Sequence, residues 1–374
     1  MTKKECIRMI AFCLVVCLML VVLCDLFENE RTKNYDSRLY TYRKYNENTI
    51  DAVFIGTSGV DRYWCGPQAY EKYGMTVYPL STDGMPSWLY TDMLDYALKY
   101  QNPQLVLLDI RAFCQDNTMD IWKKKTMDVK ARRFLDALPW LSPQWFKVAF
   151  KSMRTIHEVD EESPRFDISM LLSYIRFHEK WESAGFDFFY KNVGNKFHDY
   201  CGFYMAKASS AVSVPQTTFT YDPEDKQPMD TLSEQSFLEI IDYVQSKGLQ
   251  LVFVDTPQFT EPHELTRANY IYDLLDEMGI DYVTSYTTEG DSPFSVDLDP
   301  MTDFYNESHV NFFGAEKYTE FLAAYLDENY DLPDRRYDPA VREHWDGVYQ
   351  KIKEQIDYFI AHPVEPETGE DADA

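Results

Sequence analysis

Two residues far apart in the chain have the chemistry of a nucleophile and its base. Ser58 stands in Gly56-Thr57-Ser58-Gly59, and His309 in Asp303-Phe-Tyr-Asn306-Glu-Ser-His309-Val-Asn311-Phe-Phe-Gly314. A serine hydroxyl attacks an acyl carbon when an adjacent imidazole takes its proton and a third group orients that imidazole. Asp303 is an acid six residues upstream of the histidine, and Asn306 lies three residues before it. An Asn orients an imidazole but stabilises its charged form less than an acid does. The Ser58 N–H, at the start of a helix, can stabilise a developing oxyanion. Gly84, in Ser81-Thr82-Asp83-Gly84-Met85-Pro86, permits close backbone approach and offers a second N–H. Arg111, two residues after Asp109, is a cationic candidate for contacting an oxyanion or substrate. Each also has a plainer reading. Gly-Thr-Ser serves as an ordinary helix cap, Gly84 as a turn glycine, and Asp109 with Arg111 as a structural salt bridge.

The elements that must position these residues follow from hydrophobic pattern. Short apolar runs at 51–56, 75–80, 104–110, 250–255 and 280–283 read as strands, the third apolar enough to be buried on both faces. Helical patterns at 86–100, 233–247, 264–278, 313–328 and 339–361 lie between and after them, with Pro86 at one start and Gly248 and Gly279 as stops. Alternation of this kind predicts an α/β, three-layer α/β/α domain over 49–335 with a mainly parallel five-stranded sheet. Ligands in such sheets bind at the carboxyl ends of the strands, where Ser58, Gly84, Asp109 and Arg111 all fall. A large helical insertion is expected at about 113–232.

Composition narrows the classes. The 374 residues are 45% hydrophobic and 16% aromatic, which excludes a disordered chain. With 36 Lys and Arg against 62 Asp and Glu, the net charge of −26 repels phosphates, so no nucleic-acid partner is expected. No Cys-x-x-Cys pair and no Cys/His cluster of zinc spacing occurs, so neither a metal nor another cofactor is expected. Of seven cysteines, Cys65, Cys114 and Cys201 lie beyond the N-terminal region, and one disulfide among them is possible.

The N-terminus differs from the rest. Lys3, Lys4 and Arg8 precede an uncharged apolar run from Met9 to Cys24, which Ile7 and a snorkelling Arg8 extend toward the roughly 17–25 residues of a bilayer span. The large residues around Leu23-Cys24-Asp25 make a poor cleavage site, so residues 1–27 read as an uncleaved signal anchor. Basic residues stay inside, which would place the rest of the chain outside the cytoplasm as a single-pass cell-membrane protein. Residues 28–48 read as a polar stalk, and 336–374 as a C-terminal helix with an acidic, disordered tail.

Within the insertion, residues 123–154 carry nine cations (Lys123, Lys124, Lys125, Lys130, Arg132, Arg133, Lys147, Lys151, Arg154) against Asp128 and Asp136, interleaved with Trp140, Trp145, Phe146 and Phe150. This suits contact with anionic lipid, an anionic polymer or a membrane partner, and equally a solvated basic face. His178 and Trp181, spaced i, i+3, suit core packing better than a substrate platform.

Gly56-Thr57-Ser58, Gly84 and the His309 segment together resemble the blocks of the SGNH/GDSL-type hydrolases. More narrowly, Asp303–Leu322 and Tyr174–Trp181 are similar to a membrane-anchored branch of DltD-like and alginate-acetylation-like cell-surface acyl-transfer proteins. The resemblance spans roughly 50–330. It implies a flavodoxin-like fold, Ser58 as nucleophile, His309 as general base, and the Ser58 and Gly84 N–H groups as oxyanion donors. It implies an esterase or O-acyltransferase acting on a cell-surface polymer, teichoic acid or polysaccharide, beside a membrane-bound O-acyltransferase. Two departures stand out: the position of the usual acid is Asn306, and the usual Asn after the third strand is replaced by Asp109 and Arg111. A catalytically silent scaffold that binds the polymer or the membrane partner is the alternative.

Overall fold

The structure is a computed structural model that describes residues 2–26, 38–115, 121–172, 175, 200–205, 221–258, 262–289, 292–300 and 302–362. The acidic tail over 364–374, the stalk over 28–37, and Tyr174, His178 and Trp181 lie outside the described residues. The chain divides into two units, 1–37 with 124–198, and 38–123 with 199–374.

In chain order the elements are α1 (Lys3–Leu26), β1 (Ala52–Gly56), α2 (Ser58–Tyr63), α3 (Gly66–Tyr73), β2 (Val77–Ser81), α4 (Tyr90–Tyr100), β3 (Leu105–Asp109) and α5 (Arg111–Cys114). Then come α6 (Ile121–Ala137), α7 (Pro143–Val159), α8 (Ile168–Leu171), α9 (Thr231–Ser246), β4 (Gln250–Val254), α10 (Pro262–Met278) and β5 (Asp281–Val283). The chain ends with β6 (Phe304–Asn306), β7 (His309–Val310), α11 (Phe312–Asn329), α12 (Pro339–Trp345) and α13 (Val348–Ala361).

The larger unit is an α/β fold around a five-stranded, all-parallel sheet of order β2-β1-β3-β4-β5. Every residue of β1, β2 and β3 is buried, as strands covered on both faces must be. The helices form two sets: α2 and α3 pack with α11, while α9 packs with α4 and α5, and α10 with α5. The result is the three-layer arrangement expected from the alternation of patterns. Register aligns the strand ends: Gly56 pairs with Ser81, and Asp109 with Val254. Residues after these four strands therefore share one edge. Strand order reverses between β1 and β3, and such a switch point opens a crevice.

Two details depart from the pattern. Gly347, with φ 70°, divides the helix expected over 339–361 into α12 and α13. Residues 38–48 are not stalk: Leu39 and Tyr42 are fully buried, and Tyr42 meets Tyr78 edge-on with ring centroids 5.1 Å apart. Aromatic bodies dominate this stretch, so it gains more from burial than its polar composition suggests.

The smaller unit contains α1, most of α6, α7 and α8. α1 includes a 21-residue apolar stretch, Lys3–Leu23, long enough to cross a membrane, as an anchor or a signal sequence. Ser142 caps α7 by accepting from the Trp145 N–H at 3.1 Å. Arg132 is buried, donating to Asp167 at 2.9 Å and to the Ser169 carbonyl at 2.6 Å. This member of the basic stretch is an internal brace; Lys123, Lys124 and Lys125 have no described side chains.

Candidate active site

The site begins where β1 stops. Gly56 must lack a side chain, because a Cβ there would lie 2.3 Å from that of Asp109. This close approach lets Asp109 support the following turn. Its carboxylate accepts from the Thr57 hydroxyl at 2.8 Å, the Thr57 N–H at 3.3 Å and the Arg111 N–H at 3.2 Å. Thr57 in turn caps α2, leaving Ser58 as the first helical residue. Burial pushes the Asp109 carboxyl upward, while Arg111 and the Thr57 donors pull it back. Asp109 is thus a buttress beneath the nucleophile turn rather than a group facing substrate.

His309 reaches the serine from the other end of the chain. β6 and β7 form a tight antiparallel hairpin in which Asn306 and His309 are cross-strand partners. The Asn306 Oδ1 accepts from the Ser308 N–H at 3.0 Å and pairs with His309 Nδ1 at 3.0 Å. A backbone N–H can only donate, so oxygen occupies that position and His309 Nδ1 carries the hydrogen. The other ring nitrogen, Nε2, is then an acceptor, and it lies 2.8 Å from Ser58 Oγ. The three side chains form a Ser58–His309–Asn306 relay with a defined tautomer. Tyr305 stacks on the imidazole, with ring centroids 5.6 Å apart and planes 13° from parallel.

Asp303 occupies a different place. Its carboxylate accepts from Lys317 at 2.7 Å and from the Asp299 N–H at 2.7 Å. Its backbone carbonyl accepts from the Asn311 N–H at 2.8 Å. Asp303 therefore fastens the base of the hairpin to α11. A residue in a β-strand presents its side chain opposite to its neighbour's, and the three-residue spacing of Asn306 and His309 across a tight turn is what brings them together.

Arg111 also departs from expectation. Its guanidinium is buried and donates to the Ser308 carbonyl at 3.1 Å and the Thr256 carbonyl at 3.0 Å, with the Tyr63 ring 5.8 Å from its centre. It braces the hairpin turn against the end of β4. Gly59 lies against this brace: a Cβ there would come within 2.4 Å of Thr256 Oγ1 and 3.2 Å of the Arg111 guanidinium.

Gly84 sits in a turn closed by the Met85 N–H on the Thr82 carbonyl at 3.1 Å, with φ 60°. Among the described residues, neither the Ser58 nor the Gly84 N–H has an acceptor. Both are available to a developing negative charge.

Arg62 was not among the expected residues, although i, i+4 spacing from Ser58 on a helix would have found it. Its guanidinium pairs with Asp83 at 3.0 Å, reaches the Ser58 carbonyl at 3.4 Å, and lies 4.9 Å from the Tyr204 ring centre. Burial, and then the charges of Arg62 and Arg111, hold the His309 imidazole well below its ordinary value. Cys65, Cys114 and Cys201 are buried and form no disulfide with one another, and burial pushes Cys65 and Cys114 upward, away from thiolate chemistry.

Fold and site together define an α/β protein with a serine–histidine–asparagine relay at the carboxyl edge of a parallel sheet. No protein-family model matches the chain, and no curated protein matches it either.

Proposed function

We propose that the chain is a membrane-anchored serine acyl-transfer enzyme of the SGNH type, working outside the cytoplasm on esters of a cell-surface polymer. One observation carries this reading: Ser58 Oγ lies 2.8 Å from an imidazole nitrogen whose tautomer makes it an acceptor. His309 takes the hydroxyl proton as Ser58 attacks an acyl carbon, and the Ser58 and Gly84 N–H groups receive the oxyanion. His309 then protonates the leaving alcohol, and water or a polymer hydroxyl releases the acyl group from Ser58. Hydrolysis and transfer differ only in this last acceptor. The apolar α1 favours a membrane location, and the basic residues before it favour an external domain. A membrane-bound O-acyltransferase that exports the acyl group is the expected partner, because no acyl-CoA is available outside.

The neutral Asn306, and an Arg111 whose guanidinium is engaged by the Ser308 and Thr256 carbonyls, favour a second reading as a silent scaffold of the same fold. A fluorophosphonate probe separates the two. The enzyme labels at Ser58; Ser58→Ala abolishes labelling, and His309→Ala slows it by about 10²–10⁴-fold. Asn306→Asp adds a charge beside the imidazole and should accelerate labelling by roughly 30-fold, equivalent to about 2 kcal/mol. A wild-type chain that never labels, with Ser58→Ala still supporting polymer acylation in cells, sinks the enzyme reading.

A further inference from the structure

The relay leaves the amphipathic helix α7 and the loop before it without a role. The inner side of α7 is buried through Trp145, Val148 and Met153. Its outer side shows Phe146, Lys147, Phe150 and Arg154, spaced i, i+1, i+4 and i+8 on one helical face. Phe150 is 51% exposed, and in the preceding loop Leu141 is 51% and Trp140 39% exposed. Large apolar groups held in water at adjacent positions mark an interaction face.

Charge identifies what covers it. Over α7 the chain carries Lys147, Lys151 and Arg154 against a single acid, Glu158, which pairs with Arg154 at 3.7 Å, within a protein of net charge −26. Exposed aromatic rings beside cations suit the boundary between acyl chains and anionic headgroups, where rings enter the apolar side and cations meet phosphate. The same chain carries α1, which is long and apolar enough to hold it at a bilayer. A soluble protein partner would require only the aromatic face; the net-cationic helix adds a match to an anionic lipid surface.

We propose that the outer face of α7 and its preceding loop seat on the anionic lipid surface of the membrane that holds α1. This seating rests on α1 lying in a bilayer and is independent of the chemistry at Ser58. Cations near the surface and aromatic rings below it would keep the unit flat on the membrane rather than free on a tether.

Tryptophan fluorescence tests this, because α1 contains no tryptophan and contributes no signal. The full chain is reconstituted in vesicles of brominated phosphatidylcholine, alone or mixed with brominated phosphatidylglycerol. Emission should be quenched in the mixed vesicles, and Trp140→Phe should remove most of that quenching. Lys147→Gln with Lys151→Gln should weaken the seated state about five-fold per cation. Phe150→Ser provides an independent variant with the same expected loss. Quenching absent from both lipids, or equal in both, overturns the proposal. So does shielding of Trp140 from aqueous iodide by soluble polyphosphate in place of lipid.

Discussion

At Asn306 an amide stands where a serine–histidine relay ordinarily has a carboxylate, and the hydrogen bonds show what it still does. It fixes the tautomer of His309 through the Ser308 N–H and leaves Nε2 facing Ser58. It supplies no charge to stabilise the imidazolium. The Arg62 charge works in the same direction, disfavouring protonation of His309. A general base acts only when neutral, so activity should persist below the ordinary histidine range. Arg62→Gln removes a positive charge, raises the His309 value, and should move the acid limb of labelling upward. Arg62→Lys keeps the charge and should leave the limb nearly in place. A limb that stays fixed in Arg62→Gln would assign the depression to burial alone. The pairing of Ser58 with His309 was legible from residue type and order; the choice between Asp303 and Asn306 was not, because both precede the histidine closely. Hairpin pairing decides it, aligning Asn306 with His309 and turning Asp303 to Lys317.

Among elements, the site depends on segments that tie strand ends together. Arg38 lies before the first strand and is buried against Asp61 of α2. It also donates to the Ser81 carbonyl at 2.9 Å and the Gly202 carbonyl at 2.9 Å. One side chain thus joins the nucleophile helix, the end of β2 and the chain returning from the insertion. Arg38→Met leaves Asp61 buried and unpaired, and should cost about 3–5 kcal/mol in urea unfolding. Adding Asp61→Leu should recover much of the loss; a double variant no better than the single would refute the pairing as the cause. Nothing in local pattern announced this contact. The strands were legible because parallel strands covered on both faces read as uninterrupted apolar runs, whereas α2, α3 and the β6–β7 hairpin are too short to show a period.

For the molecule as a whole, the two units carry different duties. The sheet unit holds the relay, while the other contains α1 and the aromatic, cation-rich α7. If α1 is a signal anchor with its basic end inside, protease added to intact cells should digest the chain beyond α1 and spare a short N-terminal fragment. Digestion only after lysis would reverse the proposed orientation.

Hydrophobic period and strand–helix alternation determined the α/β class, and an uncharged apolar run determined that one helix can span a bilayer. Both are local properties, set by which side chains neighbours in sequence place in or out of water. The partner of each polar group was decided only in three dimensions. Asp109 became a support, Arg111 a brace and Asp303 a fastening, while Arg38, Leu39, Tyr42 and Tyr45 became part of the core. Hydrogen bonds are directional and short, so the packing that brings distant strand ends within 3 Å selects which of several suitable side chains meet.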